Sequence, residues 1–324
     1  MTIPKKLLVL IDGSERSIQT VNYVKDFMPT HKNMRIVLFH VFDGRPEEFR
    51  ELEQTPTCID AVRQLQKLEA EQKASIWWYL ERAKKILIKG GIPKESIEIK
   101  FHLRKDGIAR DIIDEAKKDY SAVIMRRRGL GALKGIILGS VAIKLLQAIT
   151  FIPIIMVGRV PANKKFLLTV DASPSSRRVV EFIGSLLGGH GYEICIFHAI
   201  IGLGAMVFKL PEINAPEFPE VEMPDSCIEA FKLKTVRLLQ QTKETLLLSG
   251  FEAEKISEKI VTGEDSRSMA IVKEAEKDGY STIVVGRRGL SRVEAFFMGR
   301  VGHKVVYGGN KFTVWVVSDD ITPL

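Results

Sequence analysis

The chain has 324 residues, more than a single compact core usually accommodates, so its length predicts two domains of roughly 150 residues each. A hydrophobic content of 45% and a charged content of 27% are typical of a folded globular protein and exclude extensive disorder. The net charge of +8 lies in the first half, where residues 1–160 contain 28 Lys and Arg against 19 Asp and Glu. Without an aromatic-basic motif or a recognition helix, this charge favours a solvated face over a nucleic-acid site.

Membrane segments and metal sites are not expected either. The first apolar run, Leu7–Ile11, is too short for a signal peptide core or a membrane span, so we expect a cytoplasmic protein. Cys58, Cys195 and Cys227 are odd in number and lack C-x-x-C spacing, which predicts free thiols in a reducing compartment. The six histidines show no paired ligand spacing, so we expect no structural metal.

Internal repetition determines the domain organisation. The stretch KKLLVLIDGS, Lys5–Ser14, returns as KKFLLTVDAS, Lys164–Ser173. The stretch YSAVIMRRRG from Tyr120 likewise returns as YSTIVVGRRG from Tyr280. The near-constant offset predicts a tandem duplication, with one domain over residues 1–160 and the other over residues 161–324.

Short apolar runs alternate with helical stretches in the first repeat. The predicted strands are Lys6–Ile11, Arg35–Phe42, Ile97–Leu103, Ala122–Met125 and Ile152–Val157. The predicted helices are one capped by Ser14 and running through Met28, then Trp77–Lys89, Arg110–Lys118 and Ser140–Ile149. This alternation predicts an α/β fold in which helices cover both faces of a five-stranded parallel sheet, giving a three-layer α/β/α domain.

The second repeat follows the same order. Its predicted strands are Lys165–Val170, Tyr192–Ala199, Ile256–Val261, Thr282–Val285 and Phe312–Val317. It departs from the first repeat in the proline-rich segment Ile201–Ser226, which replaces the shorter acidic segment Asp43–Thr57. Both segments follow the carboxyl end of a strand, so we interpret them as surface loops, with lids or partner surfaces as the alternative.

Candidate ligand groups lie where the carboxyl ends of the strands are expected to meet. Asp12 and Asp171 follow the first strand of each repeat, and a glycine loop follows the fourth strand. The loop spacing is Gly129-x9-Gly139-Ser140 in the first repeat and Gly286-x2-Gly289-x9-Gly299 in the second. No G-x-x-x-x-G-K-[ST] motif is present, which excludes a Walker-type NTPase.

This spacing, together with V-L-I-D-G-S ending at Ser14, resembles the universal stress protein family in its tandem two-domain form, over essentially the whole chain. Family members that bind ATP carry G-x2-G-x9-G-[S/T] after the fourth strand. The resemblance implies a Rossmann-like sheet of the adenine nucleotide alpha hydrolase type, and ATP as the ligand. It also implies that the Asp and a residue after strand two hold adenine and ribose, while the last Gly and the hydroxyl hold phosphates.

The resemblance transfers site residues to each repeat by position. In the first repeat they are Asp12, Val41, Gly129, Gly139 and Ser140. In the second repeat they are Asp171, Ala199, Gly286, Gly289 and Gly299, with Arg300 in place of the hydroxyl. Asp12 or Asp171 is also the expected Mg²⁺ contact.

Neither repeat matches the family pattern fully. In the first, Arg126 replaces the entry glycine of the loop, and Arg104 stands where the second repeat has Gly263. In the second, Arg300 replaces the exit hydroxyl. We expect Arg126 to narrow the pocket and Arg300 to substitute for a lost hydrogen bond, which favours the second repeat for the adenosine part.

The sequence therefore predicts a non-enzymatic stress protein that binds an adenine nucleotide in at least one domain. Slow ATP hydrolysis or autophosphorylation is left open. The alternative is a nucleotide-free dimerisation or partner-binding module, in which the glycines and aspartates serve only turns and helix caps. The resemblance implies pairing of the two last strands, Ile152–Val157 with Phe312–Val317, and we expect further self-association and regulatory protein partners.

Overall fold

A computed structural model of the chain describes residues 6–27, 34–44, 55–127, 138–159, 163–201, 225–264, 266–287, 300–308 and 311–318. Their contacts divide them into two units, with the division between Val157 and Gly158. This division lies three residues before the boundary expected from the repeat.

The first unit contains five parallel strands and four helices among its described residues. The strands are β1 (Lys6–Leu10), β2 (Arg35–Phe42), β3 (Ile97–Leu103), β4 (Ala122–Arg126) and β5 (Ile154–Val157). The helices are α1 (Glu15–Phe27), α2 (Ile59–Lys89), α3 (Ile108–Ala116) and α4 (Ser140–Ala148). The strands lie in the order β3-β2-β1-β4-β5, so β1 has a parallel neighbour on each side.

Helices cover both faces of this sheet. Helix α1 packs against α2, and α3 packs against α4. Because each parallel crossover is right-handed, α1 and α2 lie on one face, and α3 and α4 lie on the other. The central strand is buried accordingly: Leu7, Leu8 and Val9 are fully inaccessible to solvent. The predicted three-layer α/β class is confirmed.

The second unit repeats this arrangement. Its strands are β6 (Lys165–Thr169), β7 (Glu193–Ile201), β8 (Ile256–Glu264), β9 (Thr282–Gly286) and β10 (Thr313–Val317). Its helices are α5 (Pro174–Leu187), α6 (Asp225–Leu248), α7 (Arg267–Lys277) and α8 (Arg300–Gly308). The strand order is β8-β7-β6-β9-β10, again parallel throughout.

Helix α2 is much longer than the sequence indicated. It begins at Ile59, not at Trp77, and has 31 residues. Only Val62 is buried between Ile59 and Trp77, so this part of the helix shows almost no apolar stripe from which a periodicity could be read. Its Ala, Gln, Glu, Lys and Leu content favours a helix through intrinsic propensity alone.

A buried carboxylate connects β3 to α3 in the first unit. Glu115 accepts hydrogen bonds from Lys100 Nζ at 2.7 Å, Lys118 Nζ at 2.9 Å and Tyr120 Oη at 2.6 Å. Burial by itself would raise the pKa of Glu115, but these hydrogen bonds outweigh it and hold the pKa at about 2 instead of 4.5. The second unit has an equivalent pair, Lys259 with Glu274, at 2.5 Å.

Replacing this carboxylate tests its contribution to stability. We expect Glu115→Gln to lower the free energy of unfolding by about 1–3 kcal/mol at pH 7, because the neutral amide weakens the charge-assisted hydrogen bonds from Lys100 and Lys118 and the bond from buried Tyr120. The folded pKa lies below the unfolded one, so the contribution is full above about pH 4.5 and is lost as the pH falls toward 2. Urea midpoints of both chains should therefore converge on acidification. Asp114→Asn, at an exposed neighbouring carboxylate, is the control; a gap that widens at pH 3 would contradict the assignment.

Gly188, where α5 ends, offers a second test. A Cβ there would lie 1.8 Å from the carbonyl oxygen of Ser249, which is backbone and cannot rotate away. We expect Gly188→Ala to cost about 1–3 kcal/mol through overpacking, measured as a lower urea midpoint. Gly308→Ala, at the end of α8 where a Cβ meets nothing within 4 Å, should be neutral or slightly stabilising. Equal urea midpoints for the two variants would contradict this expectation, because they would show that the backbone at Ser249 can move away from a Cβ without cost.

Candidate functional site

A cavity of about 740 Å³ lies at the carboxyl ends of β1, β2 and β4 in the first unit. The strand order reverses at β1 and β4, and the loops that follow these two strands leave in opposite directions, which opens a crevice. Four of the five residues transferred from the family pattern line this one cavity: Asp12, Val41, Gly139 and Ser140. The fifth, Gly129, lies outside the described residues.

Asp12 is positioned by the turn between β1 and α1. Its Oδ1 accepts hydrogen bonds from Ser14 N at 3.1 Å and from Ser14 Oγ at 2.6 Å. Ser14 Oγ in turn accepts a bond from Ser17 N at 3.3 Å, which caps the first turn of α1, as the sequence predicted for Ser14. The aspartate thus orients the capping serine.

His40 is fixed by the neighbouring strand. Its Nδ1 lies 2.6 Å from the carbonyl oxygen of Ile11. Because a carbonyl only accepts, Nδ1 carries the proton, and Nε2 of the neutral ring is an acceptor. Burial lowers the pKa of His40 below 6.5 and outweighs the opposing effects of Ile11 and Asp12, so the ring is neutral at pH 7. His40 is therefore a hydrogen-bonded, neutral histidine near the end of β2.

The start of α4 forms another part of the wall. Gly139 N donates to Arg127 O at 3.0 Å, and the helix begins at Ser140. The N–H groups of the first turn have no partner within the helix, so they face outward with a partial positive charge. A Cβ at Gly139 would meet nothing closer than 3.9 Å, so packing does not demand glycine at this position. Its missing side chain leaves room for the cavity.

Two arginines at the end of β4 line the cavity: Arg126 ends the strand and Arg127 follows it. Arg126 Nη1 donates to Val157 O on the adjacent strand at 3.3 Å, and the cavity stays open beside it. The expected narrowing by Arg126 is therefore limited by this contact with β5. Arg127 is 5% exposed, and burial first, then the charge of Arg126, lowers its pKa to about 10. It still carries its positive charge at neutral pH.

Helix α2 contributes cavity residues that the sequence did not indicate. Gln72, Ser75 and Ile76 line the cavity, and all three precede the predicted start of this helix at Trp77. The side chain of Ile76 packs within 3.1 Å of where a Cβ on Gly13 would lie. Gly13 has a φ of +77°, so glycine is required there by both conformation and space. High helix propensity over residues 59–76 was the signal that could have revealed these residues.

The second unit reproduces the aspartate turn and the histidine contact. Asp171 Oδ1 accepts from Ser173 N at 3.0 Å and from Ser173 Oγ, and His198 Nδ1 lies 2.8 Å from Val170 O. Ala199 differs from its counterpart Val41, because its carbonyl oxygen already accepts a hydrogen bond from Arg267 Nε at 3.3 Å.

The glycine loop of the second unit is only partly described. Gly286 ends β9, and Arg300 begins α8. Gly289, Gly299 and the side chain of Arg300 lie outside the described residues, as does most of the segment Ile201–Ser226.

Among the described residues, no helix combines the length and apolarity needed to cross a membrane. In the same ranges, no three His, Cys, Asp or Glu side chains cluster closely enough to form a metal site.

Comparison with known proteins agrees with this architecture. A model of the universal stress protein family matches residues 4–157 and again residues 162–318. The universal stress protein YxiE of Bacillus subtilis is 29% identical over 141 residues, covering 44% of this chain and 90% of that protein. A universal stress protein of Mycolicibacterium smegmatis is 26% identical over 163 residues, covering 48% of this chain and 52% of that protein.

A solved structure covers nearly the whole chain. The crystal structure of a universal stress protein from Archaeoglobus fulgidus superposes with a TM-score of 0.63 at 19% identity, covering 98% of this chain and 99% of that one. The family model matches both halves of the sequence, and the solved structure shares the fold of both units. The chain therefore belongs to the universal stress protein family and carries two of its domains in tandem.

Proposed function

We propose that this stress protein binds an adenine nucleotide, ATP, in the cavity of its first unit, and that nucleotide occupancy, not turnover, is its regulatory output. The observation that carries the proposal is the convergence of Asp12, Val41, Gly139 and Ser140 on one cavity. Asp12 follows β1, Val41 lies near the end of β2, and Gly139 and Ser140 lie at the start of α4, so the parallel sheet brings them together. No two of these segments are adjacent in sequence.

The size and chemistry of the cavity fit the two parts of a nucleotide. A volume of about 740 Å³ lies within the range of about 300–1,000 Å³ that small-molecule sites occupy. Ile11, Phe39 and Met125 provide apolar surface for a base, and the Asp12 carboxylate is an acceptor for ribose hydroxyls. The N-terminus of α4 and the charge of Arg127 favour phosphate. Mg²⁺ would accompany the phosphates, held mainly by them and by water.

The choice of the first unit reverses the preference taken from the sequence. That preference rested on Arg126 filling the entry of the loop, whereas its guanidinium hydrogen-bonds to Val157 beside an open cavity. In the second unit, the Ala199 carbonyl is already engaged by Arg267. Binding by the second unit through Asp171, Gly286, Gly289, Gly299 and Arg300 stays a prediction from the resemblance.

Matched aspartate variants test the proposal. We expect Asp12→Asn to weaken ATP binding about tenfold, because the carboxylate loses its charge as a ribose acceptor while an oxygen remains for Ser14. Asp171→Asn, at the same turn in the second unit, should change the affinity less than about threefold. Isothermal titration calorimetry with ATP measures both.

Two other outcomes would distinguish the first unit from the second, and nucleotide binding from the nucleotide-free alternative. A loss confined to Asp171→Asn would place the nucleotide in the second unit. No saturable ATP binding by the wild-type chain up to millimolar concentration would contradict the proposal and support the nucleotide-free, partner-binding alternative.

A further inference from the structure

A second cavity, of about 590 Å³, adjoins the first at the start of α4. Ser140 and Val141 belong to the walls of both cavities, so a ligand that reaches Ser140 from the first cavity arrives at the mouth of the second. The second cavity differs in its side chains, because three cations line it: Arg104, Arg110 and Lys144. None of them belongs to the residues considered above as nucleotide contacts.

The loop between β3 and α3, which carries Arg104 and leads into Arg110 on the first turn of α3, is held in place by hydrogen bonds. The buried carboxylate of Asp111 accepts hydrogen bonds from Lys105 N at 2.8 Å and Asp106 N at 3.1 Å. Arg104 N donates to Phe42 O at 2.9 Å, which joins the loop to the end of β2. The loop is therefore a fixed platform, and the backbone positions of Arg104 and Arg110 are set before any ligand arrives.

The three cations differ in whether a carboxylate already neutralises their charge. Arg104 Nη1 lies 2.5 Å from Asp43 Oδ1, so this pair is close to neutral as a unit. Arg110 and Lys144 have no ion-pair partner within the described residues. Asp106 is the second carboxylate of the wall and offsets one charge, so the cavity keeps a net positive charge.

We propose that this second cavity binds a chain of phosphates, the terminal phosphates of a nucleoside polyphosphate whose adenosine lies in the first cavity. The assignment rests on the proposed function for the adenosine part. Arg110 and Lys144 are then specificity-determining residues that select a nucleoside triphosphate over a monophosphate. They do so because only the longer phosphate chain passes Ser140 and brings additional negative charge to them.

The N-termini of two helices also favour phosphate in the second cavity. Both α3, from Ile108, and α4, from Ser140, begin at this cavity, and each adds the partial positive charge of its first turn. An adenosine monophosphate bound at Ser140 would gain from α4 but would not extend to Arg110. The expected signature is therefore a difference between nucleotides of different phosphate number, not a general loss of binding.

Calorimetric titrations with AMP, ATP and inorganic tripolyphosphate, at constant ionic strength, test this assignment. The variant is Arg110→Gln combined with Lys144→Gln. The control is Lys67→Gln combined with Lys85→Gln, which removes the same net charge from exposed positions of α2 outside both cavities. We expect the wild type and the control to bind ATP at least about tenfold more tightly than AMP. In the cavity variant, ATP affinity should fall by about tenfold or more, while AMP affinity changes less than about threefold.

The results separate the two proposals. An unchanged ATP to AMP ratio in the cavity variant, with the wild type binding both, would overturn the second cavity and leave the proposed function intact. Tripolyphosphate binding that the cavity variant loses, without any nucleotide binding, would support the phosphate assignment and contradict the proposed function. A wild-type chain that binds none of the three ligands would overturn both. An equal loss in the control would attribute the effect to net charge and overturn the assignment.

Discussion

The parallel pairing of β1 with both β2 and β4 is the constraint on which the site depends. Parallel strands bring their carboxyl ends to one edge of the sheet, so residues far apart in sequence are delivered to the same place. Asp12 leaves β1 there, Val41 lies near the end of β2, and Arg126 ends β4. Hydrophobic burial along β1 supports this pairing, because its central residues are covered on both faces.

Buried charge is treated in two different ways in the first unit. Glu115 is surrounded by donors from Lys100, Lys118 and Tyr120, so its charge is compensated within the protein and contributes to stability. Arg127 is equally buried, and its burial together with the charge of Arg126 lowers its pKa to about 10. The Glu115 arrangement stabilises the junction of β3 and α3, whereas Arg127 brings a buried positive charge to the wall of the cavity.

The ends of the strands could be predicted from the sequence to within a few residues. The start of the exposed helix α2 and the direction of the Arg126 side chain could not. Runs such as Arg35–Phe42 and Ile97–Leu103 are almost continuously apolar or flanked by turns, so their ends are well marked. Helix α2 lacks such marking over its first half because only Val62 is buried there. In the site, Asp12, Val41, Gly139 and Ser140 were predicted by transfer from the family pattern, and strand order supported only Asp12 and the glycine loop. The contact of Arg126 with Val157 could not, since it depends on a rotamer and on the position of β5.

The turn between the first strand and first helix recurs in both units with the same hydrogen bonds, from Ser14 to Asp12 and from Ser173 to Asp171. These hydrogen bonds join residues only two apart, so each copy of the turn is specified by its own short stretch of sequence. A substitution in one turn can therefore alter one unit without a matching change in the other.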